Sequence, residues 1–174
     1  MQSCWLRIGA AAFAVLFPPV IALQGLLNFV WMESQHPIII AYRQSHDSMI
    51  WWWCAAVAVG TAPLVEEFVF RGVLQGWLAR LLAERRRRTA PETTEETAVA
   101  AATIRDSEVY LPIILSSAVF SLMHWQSGPD FVPIFFLALG LGYLYRQTQS
   151  IWPGVIVHAL LNSWSMIVLA PVPN

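Results

Sequence analysis

The chain has 174 residues, 57% hydrophobic and only 12% charged, with a net charge of −1 and a mean hydropathy of +0.55. A soluble domain carries about twice that charged fraction, and no basic field is available to hold nucleic acid. The remaining class is a single-domain polytopic membrane protein. Its apolar runs are too long for barrel strands and do not alternate, so the expected fold is an all-α bundle of about five to six transmembrane helices.

Residues 8–32 form the first expected span, too long for the roughly 7–15 apolar residues of a signal-peptide core. Pro18 and Pro19 lie in its middle and predict a kink. A polar connection over 33–47 carries His36, Arg43 and His46, which read as bystanders, and Pro37 to Ile40 read as a dip back toward the interface.

Residues 49–82 are apolar but, at about 1.5 Å per residue, longer than a simple crossing needs. The stretch Gly60-Thr61-Ala62-Pro63 predicts a break, because the residue before a proline avoids helical angles. Trp51, Trp52, Trp53 and Trp77 read as interface anchors.

The segment at about 84–108 opens with Arg85 to Arg88 and continues through Thr, Glu and Ala. It reads as a flexible loop on the cytoplasmic side, where clustered arginines belong. Three more spans are expected over 109–125, 131–145 and 151–170, and Arg146 falls on the same arginine side. Cys4 and Cys54 have no CxxC context and read as unpaired thiols.

Charged groups at membrane depth cost at least a few kcal/mol each and are rarely idle. Glu66, Glu67 and Arg71 sit inside the second apolar run, while His124, His158 and Asn162 sit in later ones. Spacings of four place Glu67 with Arg71, Phe120 with His124, and His158 with Asn162 on shared helix faces. Glu67 and Arg71 can neutralise one another, which leaves Glu66 without a local partner. Such a carboxylate can act as a general base once a histidine or a water holds it. From the arginine side Glu66 lies about 20 Å deep, His124 about 20 Å, Asn162 about 18 Å and His158 about 12 Å, depths that permit one shared cavity.

These residues fall into three motifs, Glu66-Glu67-x-x-x-Arg71, Phe120-x-x-x-His124 and His158-x-x-x-Asn162. In that order they resemble the CAAX-processing and bacteriocin-processing (CPBP, or Abi) family of intramembrane proteases, which includes the type II CAAX prenyl endopeptidase. The Ala-Pro before the first motif, the Phe-Arg-Gly within it and Gly140-Leu-Gly-Tyr-Leu-Tyr before the third also match.

The resemblance implies a glutamate-type endopeptidase acting on a membrane-associated protein or peptide: a prenylated CAAX terminus, a leader or a sorting tail. Glu66 and His124 would activate a water, His158 and Asn162 would stabilise the oxyanion, and Glu67 and Arg71 would hold the polar network, with Glu67 also able to assist catalysis. Residues 1–48 would be an N-terminal transmembrane helix and loop, and 49–174 the catalytic membrane core. The expected protein is multi-pass, sits in a bacterial-type plasma membrane, needs no cofactor and binds no nucleic acid.

Three alternatives stay open. One is a zinc-dependent version of the same protease, with Glu66, His124 and His158 as ligands. Another is a non-catalytic bacteriocin-immunity or scaffold protein. The third is a transporter using the acidic and histidine groups as a proton relay.

Overall fold

The structure, a computed structural model, describes residues 2–30, 48–89 and 110–168. The polar connection with His36, Arg43 and His46 and most of the 84–108 loop lie outside the described residues.

Five helices are described, and among these residues there is no strand. Helix α1 is Gln2–Val30 and runs through both Pro18 and Pro19. Helix α2 covers residues 48–89 without interruption. Helix α3 is Tyr110–Leu122. A 3₁₀ segment, Trp125–Asp130, leads into helix α4, Phe131–Thr148. Helix α5 is Trp152–Val168. By length and composition α1, α2 and the run from Trp125 through α4 can each cross a membrane, while α3 and α5 are shorter apolar helices.

The expected break at Gly60 to Pro63 is absent, and so is a loop start at residue 84. The helix stays intact through Pro63 by widening instead of breaking. Val57–Thr61 form a π segment, in which the Ala62 N–H reaches back five residues to the Val57 carbonyl. Pro63 then occupies the opening turn of the next α stretch, Ala62–Glu67, where its missing N–H is tolerated. A second π segment, Phe68–Gln75, follows before α geometry resumes over Gly76–Thr89. Apolar residues continue to Leu82, and the strong helix formers Leu, Ala, Glu and Arg carry the turns on to Thr89.

Two apolar cores join the helices. Val20, Leu137, Leu141, Val157 and Leu161 unite α1, α4 and α5. Phe70, Phe120 and Ala138 unite α2, α3 and α4. Gly140 lets α1 come close, since a Cβ there would stand 2.6 Å from a Leu16 methyl. Small residues at such crossings are how membrane helices gain contact.

At the end away from the arginines, the Asp130 carboxylate is buried and accepts a hydrogen bond of 2.5 Å from Gln24 Nε2, which ties α1 to the 3₁₀ segment. Outward-facing positions include Phe29, Trp52, Trp53, Met123 and Ile167, all exposed. The buried set meanwhile includes Glu67, Arg71, Gln75 and His158. An apolar exterior, with these charged and polar groups buried beside the two apolar cores, departs from the pattern of a soluble domain and suits lipid as the solvent.

Candidate active site

The polar cluster is built on the inner face of α2. Glu67, Arg71 and Gln75 recur every four residues and are 0%, 0% and 4% exposed. Arg71 Nε lies 3.3 Å from Glu67 Oε2, and Arg71 Nη2 donates to the Ala138 carbonyl of α4 at 3.2 Å. One turn on, Gln75 Nε2 donates to the Gly142 carbonyl at 2.9 Å, and Gln75 Oε1 lies 3.5 Å from the Ser116 hydroxyl of α3. Two long side chains on α2 thus reach two carbonyls, themselves four residues apart, on α4.

Helix α5 closes the cluster with His158. Its Nδ1 lies 3.5 Å from Glu67 Oε1 and its Nε2 3.6 Å from Glu66 Oε2, so one imidazole stands between two neighbouring carboxylates. These are ion-pair separations, longer than a hydrogen bond. The two carboxylates differ sharply in access: the Glu67 side chain is 0% exposed and that of Glu66 29%.

Phe120 is the apolar hub. Its ring meets Phe70 edge-on at 4.9 Å, the Arg71 guanidinium at 4.9 Å, His124 at 5.0 Å and His158 at 6.0 Å. A cation over an aromatic face is attracted to it, and more so when desolvated. His124 follows the end of α3, with Nδ1 2.9 Å from the Phe120 carbonyl. A carbonyl can only accept, so Nδ1 carries the proton and Nε2 of the neutral ring keeps a lone pair.

Several buried atoms lack a partner at hydrogen-bond geometry: both Glu67 carboxylate oxygens, Arg71 Nε and Nη1, and His158 Nδ1. Native interiors satisfy nearly all such groups, so each exception calls for an explanation, a catalytic role among them.

The structure brings Glu66, Glu67, Arg71 and His158 into one cluster, with Phe120 against it. His124 adjoins it through the Phe120 ring, and among the described residues it makes no ion pair with Glu66. Asn162 faces α2 one turn from His158, and its Nδ2 donates to the Ala58 carbonyl at 2.7 Å. Among the described residues, no three His, Cys, Asp or Glu side chains converge as metal ligands would.

Sequence reading missed three participants. Gln75 continues the four-residue spacing of Glu67 and Arg71, and that periodicity could have flagged it. Gly154, in the first turn of α5, is where a Cβ would stand 2.6 Å from Glu67 Oε2; spacing gives no sign of this. The Ala58 carbonyl belongs to the backbone, although Pro63 announces that some carbonyl upstream loses its donor.

Fold and cluster together define an integral membrane protein with a desolvated carboxylate, histidine and arginine site at its core. The family described as type II CAAX prenyl endopeptidase Rce1-like matches residues 48–164, more than half of the chain and every residue of the three motifs, and the chain belongs to that family. At the family level it is a CAAX-type intramembrane endopeptidase that works on membrane-associated protein substrates. No curated protein and no solved structure matches it.

Proposed function

We propose that the protein hydrolyses a peptide bond of a membrane-associated substrate, a prenylated CAAX terminus or a leader or sorting peptide, with a water activated by Glu66. The observation that carries this reading is the split between the two carboxylates. Glu67 is sealed between Arg71 and His158, whereas Glu66 keeps an open side and touches His158.

In the reaction Glu66 takes a proton from the water as its oxygen attacks the carbonyl carbon. His124 Nε2 orients that water by accepting its other hydrogen. The carbonyl π electrons move onto oxygen, and the oxyanion is met by His158 Nε2–H and an Asn162 Nδ2–H, fixed donors in a dry site. Collapse breaks the carbon–nitrogen bond, and the proton held by Glu66 passes to the leaving amine. Glu67 and Arg71 hold His158 and α2 in place. No metal enters any of these steps.

The protein is read as multi-pass in a bacterial-type plasma membrane. Supporting this, the arginine-bearing end of α2 and Arg146 at the end of α4 agree with the positive-inside rule for a common cytoplasmic side.

The test is cleavage of a library of prenylated and unprenylated C-terminal peptides by purified protein in lipid. Wild type is compared with Glu66→Gln, and with wild type after incubation with a zinc chelator. Cleavage abolished in E66Q and untouched by chelator is the expected result. Loss on chelation, restored by added zinc, would replace this mechanism with the metal-dependent one. A correctly folded wild type that cleaves no peptide would favour an immunity or scaffold role.

A further inference from the structure

We infer that Pro63 and the Ala58 carbonyl act together as the positioning device for Asn162. This deepens the reading above and rests on it for its catalytic consequence, though not for its structural one.

The backbone supplies the first half of the case. In the π segment the Ala62 N–H bonds to Val57, not to Ala58. The next residue in that five-residue register, the one due to serve Ala58, is Pro63, which has no N–H. The Ala58 carbonyl is therefore left without a helical donor at a position where Ala58 is buried. An unserved buried acceptor is costly, so a partner has to be found elsewhere.

That partner is Asn162, whose Nδ2 donates at 2.7 Å across 104 positions of sequence. It is a short bond between α5 and a backbone atom whose vacancy is created by a proline five residues further on.

The second half concerns the amide itself. Asn side chains can turn either their NH₂ or their oxygen toward a neighbour. Because a carbonyl only accepts, Ala58 fixes the NH₂ toward α2. Nδ2 has two hydrogens; one is committed to Ala58 and the second stays with the amide in a fixed plane, one helical turn from His158. A donor held in this way costs no reorganisation when an oxyanion forms. Pro63 is thus a positioning residue acting through Asn162, and the Ala-Pro that precedes the acidic pair is part of the site's construction.

Pro63→Ala restores an N–H able to serve Ala58, which makes the prediction one of sign. In the Pro63 background, Asn162→Ala leaves Ala58 unserved and lowers the unfolding midpoint in detergent by about 3–8 °C. In the P63A background the same change lowers it by less than half as much. Equal losses in both backgrounds overturn the inference.

On activity, P63A lowers kcat by about tenfold with KM within about twofold, because Asn162 loses its anchor and not the substrate its contacts. An unchanged kcat overturns the positioning role. Should P63A not fold, Asn162→Leu, which keeps the volume without a donor, still decides the matter: a variant as stable as wild type overturns the inference. The stability measurements stand even if wild type cleaves no peptide, and E66Q still tests the protease if the stability losses prove equal.

Discussion

On the inner side of α2, the Glu67 carboxylate is enclosed by Arg71, His158 and Gly154, with no exposure. On the neighbouring side, Glu66 retains 29% exposure and meets the enclosed half at His158. Two identical side chains, adjacent in the chain, are thereby given different work. The enclosed one is packed between α2 and α5 and has the character of scaffold, while the accessible one has a side open to water and substrate. The imidazole between them links the two halves, so a change in the scaffold is felt at the accessible carboxylate.

The comparison is broken most completely at the open half. Glu66→Gln is expected to lower peptide cleavage by about 10²–10⁴-fold, the range of general acid–base catalysis, while the unfolding midpoint stays near that of wild type. If E66Q instead unfolds and Glu67→Gln abolishes turnover without unfolding, the assignment of the two carboxylates is reversed.

The enclosed half responds in the opposite sense. Arg71→Met strands a fully buried carboxylate and should cost about 3–5 kcal/mol of stability, read by denaturant or thermal unfolding in detergent. Part of that loss should return in the Arg71→Met, Glu67→Gln double variant, which no longer buries a charge without a partner. Failure of the double variant to recover would show that packing against Phe120, and not charge, is what Arg71 supplies.

Smaller steps sharpen the picture. Gly154→Ala pushes a methyl into Glu67 Oε2 and should cost about 1–3 kcal/mol. Cleavage should also fall, as His158 shifts with the displaced carboxylate. Gln75→Leu removes the Gly142 hydrogen bond and should cost about 1 kcal/mol, with kcat within a few-fold of wild type. A kcat loss in Gln75→Leu as large as in Gly154→Ala would extend the reacting half further along α2 than Glu66.

Much of this was legible in the residues. Charge at membrane depth singled out Glu66, Glu67 and Arg71, and a spacing of four paired Glu67 with Arg71 correctly because side chains meet at that interval along a helix. The all-α bundle followed from apolar runs too long for strands. The break at Pro63 was misread for a physical reason. Proline's clash and missing donor rule out a regular α turn, but a wider turn with a side chain from another helix relieves both, and that partner lies about a hundred residues away. Gly154 was illegible for a similar reason, since its importance is the space it leaves for a carboxylate on another helix. Asn162 was legible as a polar group at depth, though its bond to Ala58 was not, because backbone atoms carry no signature in a sequence.

The wide turn over the eight residues Phe68–Gln75 has a consequence for chain length. A turn closed at five residues takes up one residue more than an α turn, so everything beyond it is displaced by one position, about 100° around the axis. Val69 and Val73 in this stretch are exposed, and loss of either would leave a helix of the same character with Gln75 turned away from Gly142. Loss of Val69 would also turn Arg71 away from Glu67 while every motif residue survived, whereas loss of Val73 would reach Gln75 alone, so the construction of the cluster is recorded in the length of this stretch as well as in its letters.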